Sequence, residues 1–177
     1  MIETARLRLR DWTDQDREPF YRITSDARVM EFYPAPLSCE EADAFIARIE
    51  AHQAQHGFTF FAAELRATGQ FIGFIGMAYI PYETHFTPCV EIGWLLGTEF
   101  WGQGLATESA QAVLRLGFDD LKLPEIVAFT VPANRRLRRV MEKLGMTHNP
   151  ADDFDHPRLP QGHPLRPHVL YRLRVQH

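Results

Sequence analysis

Residues 90–116 read V-E-I-G-W-L-L-G-T-E-F-W-G-Q-G-L-A-T-E-S-A-Q-A-V-L-R-L, and their reading decides the fold. Val90 to Leu96 is a short apolar, β-prone run that predicts a buried strand, ended by Gly97-Thr98. Trp101-Gly102-Gln103-Gly104 is a glycine-spaced turn, and Leu105, Ala112, Val113 and Leu116 follow at roughly helical spacing. Strand, turn and helix in that order put several free N–H groups at a helix start, with the helix dipole behind them. Such a place suits an anion, a pyrophosphate for example. A strand-to-helix turn also carries glycine for packing alone, so the turn by itself has two readings. The dinucleotide fingerprint G-x-G-x-x-[GA] is met by Gly102 and Gly104 but not by Thr107, and it belongs after the first strand of a βαβ unit, whereas this turn is in mid-chain.

Moving outward toward the N-terminus, Thr4 to Trp12 alternates, with Leu7 and Leu9 set between arginines, and predicts a strand. Thr13 or Asp14 can cap a helix through about Thr24, with Pro19 disturbing its register. Val29 to Pro36 is a proline-bounded loop in which Phe32 and Tyr33 either line a substrate pocket or pin the loop to the core. Ser38 and Glu41 form a capping box for a helix that carries Ala42, Phe45, Ile46 and Ile49 on one face and ends before Gly57. Phe58 to Leu65 and Phe71 to Tyr79 are strand-like runs joined by a short glycine-containing loop, as in an antiparallel hairpin. Pro81 to Pro88 connects them to the central strand.

Toward the C-terminus, Glu125 to Val131 is a further strand, and the order β-α-β predicts that it runs parallel to Val90–Leu96. Asn134 is placed to cap a helix with Leu137, Val140, Met141 and Leu144 at i, i+3, i+4 and i+7, and Gly145 to end it. The chain is polar and proline-rich to Pro167, and Val169 to Val175 completes the sheet. The expectation is an α/β (α+β) fold with a mixed, mostly antiparallel sheet and helices on both faces, in one domain spanning residues 1–177.

Composition bounds the function. The net charge of −4 and the lack of a basic block, one arginine-rich helix apart, disfavour nucleic acid. Two cysteines with no CxxC pair fit a reduced cytosolic protein, and no apolar run reaches the length of a membrane span, so the expected location is cytoplasmic. The histidines and aspartates between Asp152 and His168 match no tight metal-ligand spacing, and no metal is expected.

The element order, the W-G-Q-G-L-A-T turn and the segment P-A-N-x-x-x-x-x-V-M-E-K-L-G-M together resemble the GNAT superfamily of acyl-CoA-dependent N-acetyltransferases, over nearly the whole chain. Within it the chain is similar to the group of ribosomal-protein N-terminal (alanine or serine) acetyltransferases. The family's phosphate consensus [RQ]-x-x-G-x-[GA] falls on Trp101 to Ala106, with Trp101 departing at the first position. The resemblance implies an acyl-CoA N-acyltransferase fold whose sheet splays at the middle. It implies that acetyl-CoA is bound by Trp94, Leu95 and Leu96 along its pantetheine arm, by Trp101, Gly102, Gln103, Gly104, Leu105, Ala106 and Thr107 at its phosphates, and by Asn134. It also makes a homodimer unsurprising.

Acetyl transfer needs an unprotonated amine, a donor for the thioester oxygen and a proton for the departing thiolate. Glu91, beside the gap, is either the base or a structural carboxylate paired with an arginine. A main-chain N–H of Trp94 to Leu96 is the simplest oxyanion donor. Relatives often place a proton donor where Leu137 and Met141 stand, so Tyr171, His168 or solvent is left for that role. One of Arg135, Arg136, Arg138 and Arg139 could meet a 3′-phosphate, the others forming a solvated face. The expected function is acetyl transfer to a primary amine, a protein N-terminus or a small amine, by direct attack. A non-catalytic acyl-CoA-binding module is the alternative.

Overall fold

The computed structural model describes residues 1–175. Its strands are β1 (Ile2–Glu3), β2 (Leu7–Arg10), β3 (Phe60–Leu65), β4 (Phe71–Tyr79), β5 (Val90–Leu96), β6 (Glu125–Thr130), β7 (Thr147–His148), β8 (Phe154–Asp155) and β9 (Pro167–Arg174). The helices are α1 (Arg17–Ser25), α2 (Cys39–His56), α3 (Leu105–Arg115) and α4 (Arg135–Lys143). One sheet runs in the order β1-β2-β3-β4-β5-β6-β9-β7, and β8 pairs with β9 as well. Every neighbouring pair is antiparallel except β5 with β6.

Side chains alternate across these strands, apart from a register shift at Ile72 of β4, so the sheet separates two apolar layers. On one face Ile72, Ile75 and Met77 of β4 and Ile92, Trp94 and Leu96 of β5 pack with Leu105, Ala110 and Val113 of α3 and Met141 of α4. On the other, Phe74 and Leu95 pack with Phe20 of α1 and Ile46 and Ile49 of α2. Each such side chain, fully buried, contributes about 1.5–3 kcal/mol.

The helix starts follow the capping chemistry. Ser38 Oγ accepts from the Glu41 N–H at 3.2 Å, the Glu41 carboxylate accepts from the Ser38 N–H at 2.8 Å, and Gly57 ends α2 with φ 77°. Pro19 does not break α1, because it lies in the first turn, where its missing N–H has no helical acceptor to lose. The expected strand Thr4–Trp12 is shortened to β2, and the short β1 precedes it: Thr4 N–H donates to Leu7 O at 2.9 Å, a tight turn that separates β1 from β2. The proline-rich segment after α4 is not all loop, since β7 and β8 dock along β9.

The parallel pairing of β5 and β6 is brief. It covers only Val90 with Ile126 and Glu91 with Val127. Beyond that point β5 continues to Leu96 bonded to β4 alone, so the sheet opens there. No helix among the described residues is long and apolar enough to cross a membrane.

Candidate active site

The register between β4 and β5 decides which main-chain groups face the opening. Gly97 N–H donates to Ile72 O at 3.0 Å and Ile80 N–H to Cys89 O at 3.2 Å, so the odd-numbered residues of β5 bond to β4. The N–H and C=O groups of Trp94 and Leu96 therefore point toward the side that β6 has left. Leu95 does not share that role: its main-chain groups belong to the β4 ladder and its side chain to the layer under α1 and α2. Within the stretch 94–96 expected along the pantetheine arm, the two-residue period of the strand leaves Trp94 and Leu96 as the residues whose main-chain groups face the opening.

The turn from β5 into α3 lies at the same end of β5. Gly102 has φ 74° and Gly104 φ 77°, left-handed values that other residues adopt only at a cost. Gly104 N-caps α3 with no side chain of its own, and Glu108 N–H makes the first helical bond, to Gly104 O at 3.0 Å. Among the described residues, none of the N–H groups of Gly102 to Thr107 has a protein acceptor. A run of free amides at the head of a helix is an anion site. The Trp101 indole N–H donates to Leu96 O at 2.9 Å, which ties the turn to the end of β5.

Two arginines frame this turn. Arg6 Nη1 donates to Gln103 O at 2.9 Å, while its Nε donates to Glu108 Oε2 at 2.7 Å. Nothing in the alternating sequence from Thr4 to Trp12 distinguishes Arg6 from Arg8 or Arg10, so its place beside the glycines is a property of the tertiary structure. Arg136 lies over the Trp101 ring at 3.6 Å from its centroid and pairs with Glu31 at 3.6 Å. Of the four arginines on α4, Arg136 is the one set against the turn. Arg138 is engaged by Tyr171 Oη and Pro132 O, each at 3.1 Å.

Asn134 caps α4, accepting from Leu137 N–H at 3.2 Å, and donates to Thr130 Oγ1 at 3.1 Å. It leaves one amide hydrogen for anything else.

Glu91 sits where the parallel pairing ends, on the face opposite Trp94. Its Oε1 is near Gly93, where a Cβ would lie 4.0 Å from it and 3.1 Å from the Phe60 ring. Its carboxyl has no arginine or other hydrogen-bond partner among the described residues, and burial alone pushes its pKa up to about 8. That removes the salt-bridged structural reading and leaves a group poised to exchange a proton near neutral pH. Tyr33 comes to the same place. Although 45% of its surface is exposed, its hydroxyl is crowded enough for burial, then the charge of Glu91, to push its pKa up to about 12. Phe32 beside it is half-buried.

Tyr171 is not brought to Glu91. It is 2% exposed in the layer under α3 and α4, receives a hydrogen bond from Arg138 and donates to Glu142 at 3.1 Å. Alternation on β9 puts it on the face of the sheet opposite Glu91, with its hydroxyl already engaged by Arg138 and Glu142, so the geometry lends no support to the expectation that it supplies the proton for the departing thiolate. The polar tail between residues 152 and 168 resolves into pairs: His148 with Asp153 at 2.7 Å, Arg172 with Asp152 at 2.8 Å and Arg166 with Asp155 at 3.1 Å.

A mostly antiparallel sheet opened beside one parallel pair, with unengaged amides at the head of the next helix, defines an acyl-CoA N-acyltransferase fold. The sequence model of the acetyltransferase (GNAT) domain matches residues 6–147, and the chain belongs to that family. It is an acyl-CoA-dependent acetyltransferase. It is 34% identical over 146 residues to the uncharacterised N-acetyltransferase YnaD of Bacillus subtilis, covering 82% of this chain and 81% of that protein. The GNAT-family acetyltransferase structure from Bacillus anthracis superposes with a TM-score of 0.78 at 28% identity, over 98% of this chain and 97% of that one. The fold is also that of spermidine N-acetyltransferase from Vibrio cholerae, solved with CoA and spermine: TM-score 0.72, 16% identity, 95% of each chain.

Proposed function

We propose that the protein transfers the acetyl group of acetyl-CoA to a primary amine, a protein N-terminus or a small amine, by direct attack without a covalent enzyme intermediate. The observation that carries this reading is the unbroken run of free N–H groups from Gly102 to Thr107, at the end of β5 where Trp94 and Leu96 turn theirs outward. Acetyl-CoA, when bound, supplies the thioester, and these residues fit its diphosphate and amide-bearing arm.

The chain's own residues do the rest, apart from the proton for the departing thiolate, which solvent supplies. The amides of Gly102 to Thr107 hold the diphosphate, with Arg6 and Arg136 flanking the turn. A main-chain N–H of Trp94 or Leu96 meets the thioester oxygen as it becomes negative. Glu91 takes the proton that the amine must lose. An α-amino group titrates near ~8 and a lysine near ~10.4, so a base with a pKa near 8 is matched to the first more closely than to the second. Phe32 and Tyr33 border the acceptor.

Calorimetry with coenzyme A and thiol release from acetyl-CoA across a panel of amines and peptides test the reading. Binding together with amine-dependent release supports it. Binding without release for any acceptor would favour a non-catalytic acyl-CoA module instead.

A further inference from the structure

The loop between β4 and β5 carries Tyr82, and this tyrosine lies on the Glu91 side of the sheet. Val127 is the register partner of Glu91 across the parallel pair, so both side chains leave the same face. Val127 forms an apolar cluster with Ile80, Phe86 and Leu170, and Tyr82 packs against that cluster. Tyr82 also lines an open cavity of about 480 Å³ formed by the loop.

The hydroxyl of Tyr82 is 3.1 Å from His156 Nε2. The direction of this bond follows from the other ring nitrogen. His156 Nδ1 accepts the Arg158 N–H at 3.3 Å, and a ring nitrogen that accepts carries no proton. The one ring proton of neutral His156 is then on Nε2, and Tyr82 oxygen must accept it. Burial first, and the neighbouring His168 next, push the His156 pKa down to about 4, so this tautomer persists at neutral pH. The phenolic hydrogen of Tyr82 is left facing away from His156. Among the described residues it has no acceptor, and burial with the nearby Glu91 charge raises its pKa, so the hydrogen stays on. The Arg158 guanidinium lies 5.1 Å from the centroid of the Tyr82 ring, and no carboxylate among the described residues is within ion-pair reach of it.

A hydroxyl whose hydrogen has no acceptor, a cation without a carboxylate partner and a carboxyl without a cation partner, all among the described residues, thus stand on the same face. We propose that the Tyr82 hydroxyl, oriented by His156 and backed by Arg158, hydrogen-bonds an oxygen that the acceptor carries next to its amine. The acceptors so selected are of the amino-acyl class, whether amino acid or peptide N-terminus, over plain alkylamines and polyamines. The assignment rests on the reading of Glu91 as the group that faces the amine. A polyamine offers no oxygen to Tyr82 and meets repulsion from Arg158.

The test measures kcat/KM from thiol release with the common L-amino acids, their amides, and the alkylamines that lack the carbonyl group. Amino-acyl acceptors are expected to be preferred, and Tyr82→Phe to lower that preference about tenfold, the effect of one hydrogen bond to an acceptor atom. His156→Leu should lower it less, and His156→Gln, whose amide N–H can replace Nε2–H, should restore it. These two variants read the same property if Tyr82→Phe fails to fold. Arg158→Met separates the two sources of the oxygen: loss with free amino acids but not with their amides marks a carboxylate, and no loss with either marks a peptide-type carbonyl. Equal or better use of alkylamines, or an unchanged preference in folded Tyr82→Phe, overturns the assignment while the transferase reading stands. Failure of every amine to accelerate thiol release overturns the transferase reading and this assignment with it.

Discussion

At the scale of single residues, the role proposed for Glu91 links activity to stability. Its pKa of about 8 in the folded chain lies above the ordinary carboxyl value of 4.5, so the folded state keeps a proton that the unfolded state releases between those values. Stability therefore falls as pH rises from about 4.5 through about 8. Glu91→Gln removes that dependence. Its melting temperature should exceed that of the wild type at pH 8.5, and the gain should vanish near pH 4, by calorimetric scans. Activity should move the other way. Wild-type kcat/KM should rise with pH to a plateau above about 8, and the variant should lie ~10²-fold or more below that plateau and lose the ionisation. A variant with the wild-type profile would remove Glu91 from the mechanism. The sequence singled out Glu91 and left its role open between base and salt bridge. Only the absence of an arginine beside it, among the described residues, separates the two. Tyr171 shows the converse. Its residue type suited a proton donor, but strand alternation puts it on the face opposite Glu91, where Arg138 and Glu142 engage its hydroxyl.

At the scale of elements, the turn into α3 was legible because glycine spacing is a local property. The left-handed φ of Gly102 and Gly104 is what the spacing announced. Gly104→Val forces a β-branched residue into that conformation at a cost of about 1–3 kcal/mol and re-aims the amides behind it. A Cβ there would meet only Arg6 Nη2 at 3.6 Å, so the fold should survive while coenzyme A affinity, read by calorimetry, falls at least tenfold. Unchanged affinity would count against this turn as the phosphate site. The junction of β2, β3 and α1 was not legible. Arg10 holds Asp16 through two bonds, at 2.7 and 2.8 Å, and Glu64 through a third at 2.8 Å. Asp16 is 2% exposed, and although its burial favours the neutral acid, the bonds from Arg10 and Thr13 prevail and hold its pKa below the usual range. The pair's contribution is thus present above that range and lost as pH falls through the lowered value. Arg10→Leu strands a buried carboxylate and should cost about 3–5 kcal/mol in urea unfolding at pH 7. A loss under ~1 kcal/mol would mean that the network is slack.

At the scale of the whole molecule, function depends on where the sheet stops pairing. The β5–β6 ladder ends after Glu91 and Val127, and the outward N–H groups of Trp94 and Leu96 follow directly. In the free protein these two amides should exchange with deuterium faster than those of Gly93 and Leu95, which belong to the β4 ladder. Coenzyme A should slow Trp94 and Leu96 selectively. Equal protection of all four without ligand would show the opening to be closed in solution. By itself the amino-acid sequence determined the order of the longer strands and helices, the hairpin, the one parallel pair, the caps of α2 and α4 and the glycine turn. Each of these follows from residue spacing along a few turns of chain, through periodicity, capping and backbone freedom. The tertiary structure alone decided that Leu95 faces away from the gap while Trp94 and Leu96 face it, that Tyr171 is cut off from Glu91 by the sheet, and that Arg6, Arg136, Tyr33 and Tyr82 gather around groups far from them in sequence. Those outcomes depend on strand register and on contacts between distant segments. A shift of one residue in register exchanges the faces of a strand while leaving its local pattern unchanged.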